Sequence, residues 1–69
     1  MSVFSERLIE LRDGRNLSQK EVAAEFGVVV RAYQRYEYGE REPQLSTLIR
    51  MADFYGVSID YLAGRTDAP

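Results

Sequence analysis

Residues 17–39 read Leu17-Ser18-Gln19-Lys20-Glu21-Val22-Ala23-Ala24-Glu25-Phe26-Gly27-Val28-Val29-Val30-Arg31-Ala32-Tyr33-Gln34-Arg35-Tyr36-Glu37-Tyr38-Gly39, and two boundaries inside this stretch decide the fold. Ser18 followed by Glu21 is a capping box: the serine oxygen accepts from the amide three residues on, and the glutamate reaches back to the serine amide. Leu17 and Val22 take the staple positions that flank it. Val22, Ala23 and Phe26 then face inward, and Gly27 ends the helix after about two turns, where a left-handed residue is needed. Only Gly27-Val28-Val29 separates this helix from the next, over residues 30–38. In that third helix Val29, Tyr33 and Tyr36 recur at i, i+4, i+7 as a core stripe, with Arg31, Gln34, Arg35 and Tyr38 on the opposite side.

Outward from this pair the pattern stays helical. Phe4, Leu8 and Leu11, with Ile9 beside them, predict a first helix over residues 3–13, capped by Ser2 and broken at Asp13-Gly14-Arg15-Asn16. Beyond Gly39, Glu40-Arg41-Glu42-Pro43 is a polar loop whose proline stops continuation. A fourth helix over residues 45–55 is carried by Leu45, Leu48, Ile49, Ala52 and Tyr55 and ends at Gly56. Ser58 caps a short fifth helix containing Ile59 and Leu62, which ends at Gly64. No strand-length alternation appears, so the expectation is one all-α, five-helix domain over residues 1–64 and a flexible tail over residues 65–69. Met51, Phe54 and Tyr61 remain once this core is assigned; they read either as the edge of the core or as an exposed homodimer patch.

Composition removes whole classes of function. At 69 residues there is room for one domain and none for a large substrate cleft. Cysteine and histidine are both absent, which removes disulfides, thiolate nucleophiles, the usual zinc ligands and the base of a serine triad. The expectation is therefore no enzyme, no metal, no cofactor and no small-molecule ligand. Glu21 and Glu25 stand at i and i+4, but the capping box already accounts for Glu21, and Glu25 lies on a solvated face. No apolar run reaches the ~18 residues of a membrane span, and Met1 to Arg7 lack a secretory pattern, so a cytoplasmic location without a membrane partner is expected. The net charge is −2, yet it is unevenly spread: residues 1–27 carry −1, residues 28–41 carry +1 and residues 42–69 carry −2. The positive segment coincides with the third helix.

Two short helices joined by a turn of about three residues, with the small Ala23 letting them approach, form a helix-turn-helix. That geometry holds an α-helix proud of a domain so that it fits the major groove of DNA. The run Leu17 to Val28, with Tyr36-Glu37-Tyr38-Gly39, Pro43, Leu48, Ala52, Gly56-Val57-Ser58 and Leu62, resembles the phage repressor Cro/C1-type helix-turn-helix family, also called XRE-like, over about residues 4–64. The resemblance implies a lambda-repressor-like DNA-binding domain with the helix-turn-helix in helices 2 and 3. It implies a sequence-specific transcriptional regulator, a repressor that occupies an operator in double-stranded DNA; because one recognition helix reads only a half-site, a homodimer, at least on DNA, is also expected.

Carried over residue by residue, the resemblance places Val30, Arg31, Ala32 and Arg35 at base-contact positions, with Gln34 beside them, and makes Gln19 a phosphate contact that braces the recognition helix. Chemistry independently favours Arg31 and Arg35, because a guanidinium pairs with guanine O6 and N7, while Ala32 suits a thymine methyl. Tyr38 and Arg41 are the remaining backbone-contact candidates, together with the amides from Gly39 to Arg41. The family also pairs a first-helix arginine with the glutamate after the recognition helix's last aromatic; here these are Arg12 and Glu37, a structural ion pair. Two positions depart from the pattern. Val29 stands where a Ser or Thr cap is usual, forfeiting ~1 kcal/mol of capping, and the loop Glu40-Arg41-Glu42 sets two carboxylates against one phosphate ligand. These departures, with the acidic balance, favour to some degree a second reading, a protein-interaction module on the same scaffold; a DNA-binding antitoxin with a toxin partner is a third.

Overall fold

Serine caps three of the helices. In this computed structural model, which describes residues 2–69, Ser2 Oγ accepts from the Ser5 amide, Ser18 Oγ from Glu21 and Ser58 Oγ from Tyr61, at 3.1, 3.0 and 3.0 Å. These caps open α1 (Val3–Gly14), α2 (Gln19–Phe26) and α5 (Ile59–Ala63), while α3 (Val30–Tyr38) and α4 (Leu45–Tyr55) start at Val29 and Gln44 without a side-chain cap. At the Ser18 box Glu21 Oε1 accepts from the Ser18 amide at 2.9 Å, and that amide first, with the Ser18 hydroxyl, holds the Glu21 carboxyl below its ordinary value. The described residues are all-α, in five helices, as the sequence predicts.

The turn between α2 and α3 is where backbone conformation matters most. Gly27 is left-handed at φ 69°, and the Gly27 and Val28 amides donate back to Ala24 and Ala23 carbonyls at 3.3 and 3.0 Å. These bonds satisfy the last carbonyls of α2 and send the chain straight into α3. Arg50 of α4 braces the corner from outside, its Nη2 donating to the Glu25 carbonyl at 2.8 Å.

The core lies between all five helices. Leu8 of α1, Val22, Ala23 and Phe26 of α2, Tyr33 and Tyr36 of α3, Met51, Ala52 and Tyr55 of α4 and Leu62 of α5 are buried, with Phe4, Leu11 and Leu48 packed against them. Phe26 sits at the centre of an aromatic cluster, 6.2 Å from Tyr33, 5.5 Å from Phe54 and 6.0 Å from Tyr55. Burying such rings supplies most of a small domain's stability, since aromatic pairs add to their area burial.

Two sequence expectations about the core, for Val29 and for the stripe of α4, differ from the structure, and one open choice closes. Val29 does not extend the core stripe of α3: it is 71% exposed, because as the N-cap at φ −70°, ψ 150° it accepts the first helical bond, from the Tyr33 amide at 3.1 Å, while its own extended backbone turns the side chain off the helical stripe. Met51 is no surface residue but fully buried, while Leu45 and Ile49 are exposed. The buried stripe of α4 runs through Leu48, Met51, Ala52 and Tyr55, one position round from the sequence reading. Of the two readings left open for Phe54 and Tyr61 the core edge holds: Phe54 packs on the core, and Tyr61, half-buried, lies under the Arg7 guanidinium at 4.1 Å.

Residues 65–69, expected to fray, fold back on the domain. Arg7 donates to the Tyr61 carbonyl, to the Thr66 carbonyl at 2.6 Å and to Asp67 Oδ1 at 2.8 Å, and the Ser58 amide donates to the Pro69 carbonyl at 3.1 Å. A guanidinium offers five donors in a fixed fork, so one side chain can gather several acceptors.

Candidate nucleic-acid interface

The outward side of α3 follows from its helical phase. Tyr33, Tyr36 and Glu37 point into the domain, which leaves Val30, Arg31, Gln34, Arg35 and Tyr38 around the other side. Val30 is 40% and Tyr38 58% exposed, Arg31 and Arg35 are exposed, and Ala32 and Gln34 are half-buried. The four ion pairs among the described residues involve Arg7, Arg12 and Arg65 and neither Arg31 nor Arg35. Both guanidiniums therefore stand one turn apart on a single face with their donors uncommitted. Lys20 at the start of α2 and Arg41 after α3 are exposed as well.

Behind this face lies a polar cluster that joins the first three helices. Arg12 of α1 grips Glu37 of α3 through two bonds, Nε to Oε2 at 2.6 Å and Nη2 to Oε1 at 3.1 Å, and also reaches the Leu17 carbonyl at 3.0 Å. Tyr33 Oη donates to Glu37 Oε2 at 2.5 Å, and Gln19 Nε2 of α2 to Glu37 Oε1 at 3.0 Å. Glu37 is only 2% exposed, yet each carboxylate oxygen receives two donors. Burial is the largest single influence on its pKa and pushes it up, but the bonds from Arg12, Tyr33 and Gln19 together outweigh burial and hold it below the ordinary glutamate value. The same contact raises Arg12, against the opposing effect of its own burial, and burial and then Glu37 raise Tyr33. The paired Arg12 guanidinium offsets the charge of Glu37, so the carboxylate adds little repulsion at the α3 surface.

Sequence reasoning names Arg12, Gln19 and Glu37 but treats Tyr33 as core packing alone. Its hydroxyl is part of the cluster, and the i, i+4 spacing of Tyr33 and Glu37 on one helix was the available signal. Of the amides from Gly39 to Arg41 considered as phosphate donors, two are occupied: Gly39 donates to the Tyr36 carbonyl at 3.3 Å and Glu40 to the Arg35 carbonyl at 3.0 Å. The same bonds set the exposed Glu40 within one turn of Arg35. Among the described residues no group of acidic side chains could hold a metal ion, and no helix is long and apolar enough to cross a membrane.

Comparison with known proteins agrees with this geometry. Residues 8–62 match the helix-turn-helix family. The chain is 42% identical over 60 residues to the uncharacterized HTH-type transcriptional regulator YqaE of Bacillus subtilis, covering 87% of this chain and 52% of that protein. It is 40% identical over 65 residues to the cryptic phage CTXphi transcriptional repressor RstR of Vibrio cholerae, covering 94% of this chain and 59% of the repressor. The chain thus spans between half and two thirds of the length of these curated relatives. A transcriptional regulator from Listeria innocua superposes with a TM-score of 0.85 at 34% identity, over 88% of this chain and 57% of that one. The DNA-binding domain of the P22 c2 repressor does so at 0.78 and 27%, over 86% and 78%. A tightly turned α2–α3 pair, an outward basic helix and these matches along almost the entire sequence place the chain in the Cro/C1-type helix-turn-helix family, a family of transcription regulators and not of enzymes.

Proposed function

We propose that this chain is a sequence-specific double-stranded DNA-binding module of a transcriptional regulator, a cytoplasmic repressor that reads the major groove of an operator with α3 as a homodimer and performs no catalysis. One observation carries the reading: Arg31 and Arg35 stand uncommitted on the exposed face of a helix that a buried polar cluster holds rigid from behind. Either guanidinium has the geometry to take guanine O6 and N7 together. Val30 and Ala32 offer apolar surface to thymine methyls, and Gln19, Tyr38 and Arg41 are the phosphate contacts. Two-fold pairing extends a half-site of a few base pairs into an operator, and the relatives named as repressors support the sign of regulation.

The test is a selection of bound sequences from a random duplex pool, run with the wild-type chain and with Arg31→Ala, Arg35→Ala and Gln19→Ala. Each arginine variant should relax preference at one base pair by ~1–3 kcal/mol, whereas Gln19→Ala should weaken all sequences alike. Binding should also fall with log salt by about 0.9 per neutralised phosphate. A protein-interaction module is the second reading, favoured by the exposed Val29 and the carboxylates of Glu40 and Glu42. It requires no duplex affinity at any salt concentration.

A further inference from the structure

Gln34 lies on the side of α3 that carries Arg31 and Arg35, where its amide is expected to meet a base. Its side chain is half-buried and already engaged: Nε2 donates to Gln19 Oε1 at 3.1 Å. Gln19 in turn donates from Nε2 to Glu37 Oε1 at 3.0 Å, and Glu37 is anchored by Arg12 and Tyr33. The donors run in one direction, from Gln34 to Gln19 to Glu37.

We propose that Gln34 is a positioning residue and not a base reader: it locks the Gln19 amide so that the amide's remaining N–H is presented to a DNA phosphate. The inference rests on the duplex-binding reading above and adds to it. An amide has one carbonyl and two N–H donors. Turning the Gln19 amide over would put its carbonyl oxygen against the Glu37 carboxylate, which can only accept, so Glu37 selects a single orientation. With Nε2 spending one hydrogen on Glu37 and Oε1 filled by Gln34, a single N–H of Gln19 stays open, on the first turn of α2 and beside α3. Glu37 alone fixes which end of the amide faces inward. Gln34 closes the other end and ties the first turn of α2 to the middle of α3. The base-reading set of α3 then contracts to Val30, Arg31, Ala32 and Arg35, and residue 34 governs sequence-independent affinity.

A double-mutant cycle tests this, with duplex affinities measured for wild type, Gln19→Ala, Gln34→Ala and the double variant, on the duplex that wild type selects and on its single-base-pair changes. Gln34→Ala should weaken binding to every duplex alike, roughly three- to tenfold, and the double variant should bind no worse than Gln19→Ala. Gln34→Glu, which keeps the length but cannot donate and adds a negative charge, should weaken every duplex alike and at least as much as Gln34→Ala does. Losses that multiply in the double variant, a preference altered at one base pair in Gln34→Ala, or a new preference for cytosine in Gln34→Glu, whose carboxylate would accept from cytosine N4, would each overturn the proposal. Thermal melts of the same proteins supply the structural control: losses that vanish at temperatures where every variant is fully folded would overturn it too. A wild-type chain silent on every duplex removes the binding reading and this inference together, whereas a wild-type chain that binds, with variants behaving as base readers, removes this inference alone.

Discussion

Glu37 concentrates more consequence than any other side chain in the domain, because three helices meet on its two oxygens. Removing one partner of so enclosed a pair leaves a stranded charge, so Glu37→Gln or Arg12→Ala should each cost about 3–5 kcal/mol, while an apolar pair such as Arg12→Met with Glu37→Leu should cost less than either. Urea unfolding of the three variants checks the order. The acid limb has a defined sign. The folded-state pKa of Glu37 lies below its unfolded value, so its contribution is complete above about pH 4.3 and is lost as pH falls through the lower, folded value. Stability measured from pH 7 downward should drop in that window for wild type and stay flatter for Glu37→Gln. The alkaline limb has the opposite origin: burial raises Tyr33 and pushes Tyr55 up to about 12, so stability should fall as pH rises above about 10. Tyr55 Oη is also the buried side-chain polar atom without a partner among the described residues. Tyr55→Phe keeps the ring against Phe26 and Phe54 and removes an unsatisfied group, so the domain should gain about 1 kcal/mol. A loss in the unfolding curve would contradict that assignment.

At the scale of elements, the two ends of the helix-turn-helix corner behave differently under substitution. Gly27→Ala forces an L-residue to φ 69° and brings a Cβ to 3.0 Å from Nη1 of the exposed Arg50, whose side-chain end can shift, so the left-handed backbone carries the strain. A cost of about 1–2 kcal/mol is expected in urea unfolding. Val29→Ser should instead stabilise by about 1 kcal/mol, since the backbone there is already in the extended conformation of a capping residue and only the side-chain acceptor is missing. The same corner shows why the sequence was readable. Ser18, Glu21 and Gly27 each act within four residues of their partners, so local spacing specifies α2 and the start of the turn. Val29 reads as core in the sequence because an apolar period carries no marker of where helical dihedrals begin, and Met51 falls outside the sequence-read core stripe because Ile49 fits an adjacent stripe on α4 equally well. The roles of Arg7 and Arg15 had no local signal at all. α4 carries no basic residue in its last turn, and Arg15 supplies the charge from the end of α1, donating to the Phe54 and Tyr55 carbonyls at 3.0 and 3.3 Å. A carbonyl forty residues away leaves no periodicity to detect. On α3, Arg31 and Arg35 were legible from residue type and helical phase, whereas the engagement of Gln34 depends on how α2 lies against α3.

The whole molecule carries a net charge of −2 and must approach a polyanion if it binds DNA. About half of its nine cations are engaged within the domain: Arg7, Arg12, Arg15 and Arg50 each donate to acceptors there, and Arg65 pairs with Asp60. Lys20, Arg31, Arg35 and Arg41 remain exposed, and Glu40 and Glu42 flank Arg41 in the loop that leaves α3. Long-range attraction should therefore be weak, with affinity resting on contacts at α3. The two loop carboxylates oppose binding through space, so Glu40→Gln with Glu42→Gln should tighten duplex binding about three- to tenfold near 0.05 M salt, where the Debye length exceeds ~10 Å. The gain should shrink as salt rises and shortens that length, while the base preference of the variant stays that of wild type, because neither side chain belongs to the reading face. Fluorescence anisotropy titrations across a salt series measure both quantities on one selected duplex and its single-base-pair changes. An advantage that persists undiminished at 0.5 M would mean that the loop acts by contact instead of through its field, and a changed base preference would place Glu40 or Glu42 at the groove itself.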